Sequence, residues 1–348
     1  MPVSDHALIQ AWKQVLTLSR LAPGQTVTIL TSAATHPQTL SCALVATQAM
    51  GAIVNRLDLP PVNADKALSR DPLAYLGTTA LTGNRAAIAA LKESDLVLDL
   101  MTLLFSPEQH DILKTGTKIL LAVEPPEVLV RMVPSDADRE RVSAANARLS
   151  RAKEMTVTSD AGTDLRCPLG EFPAISEYGF VDEPGRWDHW PSGFVLTWPN
   201  EGGASGRIVL DRGDILLPQK GYVADRVELT VEGGFATRIE GGLDAELLND
   251  YMASFNDREA YAISHIGWGL QPRARWSTLG LYDREASIGM DARAYEGNFL
   301  FSLGPNNEAG GSRTTACHID IPLRNCTVSL DGEDVVRQGK VLDGWSSK

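Results

Sequence analysis

The first 125 residues switch repeatedly between two spacings of apolar positions. "HALIQAWKQVLTL" places apolar side chains three and four residues apart, and Ser4 or Asp5 precedes it as a cap, so residues 5–21 predict a helix. "QTVTILTS" (25–32) is short and β-branched, and predicts a strand. The alternation then repeats. A helix over 36–51 opens near Pro37 and stops at Gly51, and a strand follows over 52–59. A helix at 84–95 leads to a strand at 96–101. A helix at 106–116, with a Ser-x-x-Gln capping pattern at Ser106, leads to a strand at 117–124. Strands alternating with helices predict βαβ units and a parallel sheet, whose ligands approach the carboxyl ends of the strands. The loop "TLLFS" (102–106), with Leu104 inside it, lies at such an end.

A charged helix is expected at 135–153, after which the pattern changes. "EMTVTSDAGTDLRCPLG" and "DRVELTVEGGFATRIEGG" read as hairpins, and 243–255 is the one clear helix of this half. The predicted organisation is an α/β domain with a mostly parallel, doubly wound sheet over 1–153. A β-rich (α+β) domain over 154–348 is expected to carry the metal site.

"ACHIDIPL" (316–323) carries the clearest candidate chemistry. Side chains alternate along a strand, so Cys317, Ile319, Ile321 and Leu323 share one face while His318 and Asp320 share the other. An imidazole and a carboxylate two residues apart can converge on one cation, and the preceding Gly-rich "NNEAGGSRTT" leaves room for a ligand. His265, in "AYAISHIGWGLQP", is an equally good core histidine bonded to a backbone carbonyl. Added to His318 and Asp320, it completes two imidazoles and one carboxylate, a set suited to Fe(II) with free positions for substrate and dioxygen. Such a centre stays cationic and favours an anionic, chelating substrate. "GRWDHWPSGFVLTWP" gathers three tryptophans around His189. It reads either as a hydrophobic cluster or as a flat slot for an aromatic heterocycle, with Glu177, Arg293 and Ser302 as candidates for orienting the ring. His6, His36 and His110 are expected to be solvated.

Composition narrows the class. A net charge of −12 opposes a nucleic-acid surface or an anionic membrane, leaving small-molecule chemistry. No stretch approaches the roughly 18 apolar residues of a membrane span. The N-terminus shows no basic region followed by an apolar run, so no signal peptide is expected. The four cysteines are scattered, which predicts free thiols in a reducing cytoplasm.

"HIDIPLRNCTVSLDGE", with "YEGNFLFSLGPNNEAGG" and "ISHIGWGLQP", resembles the 2,5-dihydroxypyridine 5,6-dioxygenases of bacterial nicotinate breakdown, a branch of the aminopeptidase T-like metallopeptidase fold. The resemblance implies Fe(2+) as cofactor, dihydroxypyridine and dioxygen as the small-molecule partners, a homo-oligomer, and ring opening between carbons 5 and 6 to N-formylmaleamate. Departures from the peptidase pattern agree with it. Phe194 follows Pro191-Ser192-Gly193 where the peptidases have a metal-binding Glu, and Ser264-His265 stands where they have Gly-Glu. The alternative is a metallo-aminopeptidase-like hydrolase drawing on Glu177, Glu259, Glu296 and Glu308; a third is a non-catalytic binding protein. One position stands out. The resemblance implies a base histidine after "TLL", where this chain has Phe105. Either His189 takes that role, or the chain binds substrate and turns over poorly; the second is favoured.

Overall fold

The structure, a computed structural model, describes residues 3–60, 78–103, 106–284 and 286–342. Ser4 accepts a hydrogen bond from the Ala7 amide and starts α1 (Asp5–Leu18), whose Leu8, Trp12, Val15 and Leu16 enter the core at helical spacing. There follow β1 (Thr26–Thr31), α2 (Pro37–Ala49), β2 (Ile53–Asp58), α3 (Arg85–Lys92), β3 (Leu96–Asp99), α4 (Pro107–Leu113) and β4 (Lys118–Leu121). These elements fall within a few residues of the expected ones. A short helix, α5 (Pro126–Arg131), was not foreseen, although Pro126 at its first position is a start signal. Ser135 and Asp138 then form a reciprocal capping box at the head of α6 (Asp136–Leu149).

The second half contains β5 (Glu154–Thr158), β6 (Asp164–Pro168), β7 (Ile175–Glu177), β8 (Trp187–His189), β9 (Phe194–Thr197), β10 (Ser205–Leu210), β11 (Ile215–Leu216) and β12 (Gly221–Tyr222). It continues with β13 (Val227–Glu232), β14 (Phe235–Gly241), α7 (Leu243–Ser254), β15 (Ile263–Gly269), α8 (Thr278–Leu281), α9 (Met290–Ala294), β16 (Phe299–Leu303) and β17 (Ile319–Leu323). The last strands are β18 (Thr327–Leu330), β19 (Glu333–Arg337) and β20 (Lys340–Val341).

The parallel sheet has the order β2-β1-β3-β4-β8. Its last strand comes from the second half of the chain: β8 pairs in parallel with β4, Leu121 opposite His189. His189 therefore stands at a carboxyl end of the parallel sheet, where ligands of such sheets gather. The remaining large sheets are antiparallel, one of order β14-β13-β10-β6-β5-β18-β19-β20 and one of order β17-β16-β15-β9-β7. One core cluster runs through both halves of the chain; Trp12 of α1 meets Trp190 edge-on at 4.9 Å between ring centroids.

Strands β17 and β18 are neighbours in sequence yet belong to different sheets. Asn325, at φ 57°, makes the turn between them. Both faces of β17 are buried, for different reasons. Cys317, Ile319, Ile321 and Leu323 join the apolar core, while His318 and Asp320 line a cavity.

A candidate metal centre in an aromatic-walled cavity

His265 arrives by an irregularity. Pairing of β15 with β16 runs Ile263 to Leu303 and then Ile266 to Phe301, so the stretch holding Ser264 and His265 carries one extra residue. A bulge of this kind re-aims a side chain. The backbone group it removes from the ladder is recovered, because the Ser302 hydroxyl donates to the His265 carbonyl at 3.2 Å. On β15's other edge, Gly267 allows β9 to come close; a Cβ there would collide with the Val195 carbonyl. Ser302 itself is buried beneath the site and does not line the cavity.

The bulge brings His265 Nε2 to 3.2 Å from His318 Nε2 and 3.1 Å from Asp320 Oδ1, with His318 Nε2 3.7 Å from the same oxygen. These three atoms, all buried and close together, could hold one cation. Two tests support the fit. Asp320 Oδ1 is buried without a hydrogen-bond partner, so its lone pairs remain to be used. Adjacent ligands on an octahedral ion with bonds of about 2.1 Å lie about 3 Å apart, close to the edges seen here. Imidazole and carboxylate donors with no sulfur suit a borderline divalent metal.

Arg293, from α9, donates from Nε to Asp320 Oδ2 at 2.5 Å, which leaves Oδ1 turned toward the histidines. Burial alone would raise the Asp320 pKa, but the His318 imidazole and the Arg293 guanidinium outweigh it and hold the carboxyl well below its usual range. Arg293 lines the cavity and also donates from Nη1 to the Ile288 carbonyl.

His189 lies across the cavity and has neither ring nitrogen vacant. Nδ1 sits 2.7 Å from the Pro191 carbonyl and so carries the hydrogen, while Nε2 is 2.5 Å from Glu177 Oε2. Burial opposes charge on this ring, yet Glu177, Asp188 and the Pro191 carbonyl outweigh it and raise the pKa. Asp188 completes a second triad of potential ligands with Glu177 and His189. Its oxygens are already taken by the amides of Tyr178, Gly179 and His189 and by Arg186. That triad is an ion-pair network.

The tryptophan cluster splits. Trp190 turns to the core, donating to the Met132 carbonyl, whereas Trp187 and Trp198 wall the cavity edge-on to His189 and His265. Glu308 also enters the cavity. Both of its oxygens lack hydrogen-bond partners, and burial, followed by Asp320 and Glu177, keeps its acid protonated well above the ordinary range. Of the other carboxylates considered for a hydrolase, Glu259 pairs with Arg313 and Glu296 with Arg141.

Two expectations about α4 need correction. Ser106 caps it by accepting from the Gln109 amide, but the Gln109 side chain lines the cavity, its Oε1 without a hydrogen-bond partner, instead of returning to the cap. His110, expected to be solvated, is half-buried and lines the same cavity as Ile175 and Glu177 of β7 and Trp187 and His189 of β8, which come from later in the sequence. Leu104 and Phe105 lie outside the described residues.

A curated 2,5-dihydroxypyridine 5,6-dioxygenase of Pseudomonas putida KT2440 is 56% identical over 342 residues, covering 98% of each chain. The solved structure of 2,5-dihydroxypyridine dioxygenase from Pseudomonas putida KT2440 superposes with a TM-score of 0.97 at 55% identity, over 99% of this chain and 100% of that one. AmpT from Thermus thermophilus shares the fold, with a TM-score of 0.62 at 15% identity over 97% and 99% of the two chains. Residues 7–343 match the family described as 2,5-dihydroxypyridine 5,6-dioxygenase, and the chain belongs to that family.

Proposed function

We propose that this chain opens the ring of 2,5-dihydroxypyridine between carbons 5 and 6, using Fe(II) held by His265, His318 and Asp320. Both atoms of dioxygen enter the product, N-formylmaleamate. The ring supplies all the electrons, so no separate reductant is required. The observation that carries the reading is the convergence of two imidazoles and one unpartnered carboxylate oxygen at a cavity walled by Trp187, Phe194 and Trp198.

When bound, the ion supplies positive charge beside a ring hydroxyl and adjacent positions for substrate and dioxygen. The protein's own contributions follow from its side chains. Arg293 fixes which Asp320 oxygen faces the ion. The tryptophan and phenylalanine walls hold a flat ring and exclude water. Glu308, protonated and unpartnered, donates a hydrogen bond to the polar edge of the heterocycle. The imidazolium of His189, held between Glu177 and the Pro191 carbonyl, places a fixed positive charge on the wall opposite the ligands without giving up a proton.

The division at residue 153 enters this proposal as a division of labour: the later part supplies the ligands, and the parallel sheet of the earlier part supports the cavity's other wall. Four buried, unpaired thiols support a reducing cytoplasmic setting. Self-association is proposed on family grounds and is checked by light scattering.

The test is iron quantification on anaerobically loaded protein, followed by oxygen uptake on 2,5-dihydroxypyridine. One iron per chain and one dioxygen consumed per ring opened are expected. Paired zinc ions, or release of N-terminal amino acids from peptides without oxygen, would overturn the proposal.

A further inference from the structure

Four imidazoles line the cavity, and three are committed: His265 and His318 to the cation site, His189 to Glu177 and the Pro191 carbonyl. We infer that the fourth, His110, is the catalytic base that takes the proton from the hydroxyl of the bound ring. This rests on the dioxygenase reading above.

Its position meets the two needs of a base. The ring lines the cavity, and neither of its nitrogens hydrogen-bonds another described residue, so a lone pair is open to a ligand directly or through one water. It is also half-buried, midway along α4, and can return the proton to solvent, which His189, buried under Trp187 and Phe194, cannot do directly. In the transfer the O–H bond breaks and its electron pair stays on the ring oxygen. An N–H bond forms on His110, and the imidazolium then discharges to water.

The charges around His110 suit that role. Burial first, then Lys114 one turn along α4, lower its pKa, while Asp111 opposes them. The ring therefore stays neutral near pH 7 and able to accept a proton. Glu108 is the remaining charged group of its helix, α3 packs on α4 and brings Lys92 toward Asp111, and Glu177 and Glu308 face it across the cavity. Neither carboxyl competes as the base: Glu177 contacts His189, and Glu308 already holds its proton. Phenylalanine at 105 cannot accept one.

The experiment compares wild type, His110→Gln and Lys114→Gln as iron-loaded full-length enzymes, measuring iron content, KM, kcat and the pH profile of oxygen uptake on 2,5-dihydroxypyridine. His110→Gln should keep its iron and KM, lose roughly 10²–10⁴-fold in kcat, and lose the wild-type acid limb. Lys114→Gln should keep full activity at high pH and move that limb to higher pH, because removing the nearby positive charge eases protonation of His110. A merely structural His110 would not produce the second effect. Wild-type kcat with an unchanged acid limb in His110→Gln, or an unmoved limb in Lys114→Gln, overturns the assignment and leaves the dioxygenase reading standing. Iron-loaded wild type that consumes no oxygen overturns both.

Discussion

Replacing Arg293 by Met tests the electrostatic design of the proposed metal centre without touching a proposed ligand. The Arg293 and Asp320 side chains are 3% and 4% exposed, and their contact is a 2.5 Å hydrogen bond between charged groups. Methionine keeps much of the volume but leaves a buried carboxylate without its guanidinium. Breaking a buried pair by removing one partner costs about 3–5 kcal/mol. The Ile288 carbonyl loses its donor as well. Asp320 is also freed to rotate. Removing a group that orients a metal ligand typically weakens metal binding 10–100-fold, or about 1.4–2.7 kcal/mol.

Urea unfolding of metal-free protein reads the first quantity, and competition with a chromophoric chelator reads the second. Acid titration supplies a check on sign. Asp320 has a depressed pKa in the folded state, so its stabilisation is present above the unfolded value of about 3.9 and is lost as pH falls through the folded value. The stability gap between wild type and Arg293→Met should therefore be widest near neutrality and narrow below about pH 4. Unchanged iron affinity, together with a gap that ignores pH, would refute the argument that this pair sets the carboxylate.

His265→Ala, His318→Ala and Asp320→Ala should each lose stoichiometric iron by elemental analysis, since each removes one of three converging donors; retention of iron by any of them rejects that ligand. Gly267→Ala should push β9 away from β15, costing about 1–3 kcal/mol in denaturant unfolding and weakening substrate binding, because a Cβ there meets the Val195 carbonyl. Glu124, buried while accepting from the Met290 amide, has its pKa pushed up to about 7 by burial. The folded state then keeps a proton that the unfolded chain releases near 4.5, and wild-type stability falls as pH rises between those values. Glu124→Gln should abolish that fall and gain up to about 3 kcal/mol on wild type between pH 5 and 8, read from thermal melts at each pH.

What the sequence disclosed was whatever local spacing controls. The alternation of Cys317, Ile319, Ile321 and Leu323 against His318 and Asp320 held, and one strand face reached the core while the other reached the cavity. The signal for α5 was present in Pro126 and went unused. The features that stayed hidden depend on partners distant in sequence. The extra residue at Ser264-His265 exists only relative to the register of β16, so the hydroxyl of Ser302 could not be seen as its support. β8 completes a parallel sheet begun about 160 residues earlier, a pairing that three residues cannot announce. His110 lies on a short helix that looks solvent-facing until residues of β7 and β8 complete the cavity it lines.

The choice between one metal and two turns on charge that is free to bind. A two-ion hydrolytic site gathers +4 within about 4 Å and needs several carboxylates to offset it. Here Glu259 and Glu296 are held by arginines, Glu177 by His189, and the oxygens of Asp188 by backbone amides and Arg186. Asp320 and Glu308 are left, and Glu308 is kept protonated by its burial and by Asp320 itself. Ionising Glu308 for a second cation would mean overcoming both. A single dication facing one carboxylate and two neutral imidazoles instead leaves a net charge of +1, which a singly deprotonated heterocycle cancels on binding. That balance makes loss of the substrate's proton a requirement of the reaction, and among the imidazoles lining the cavity His110 is the one proposed to accept it.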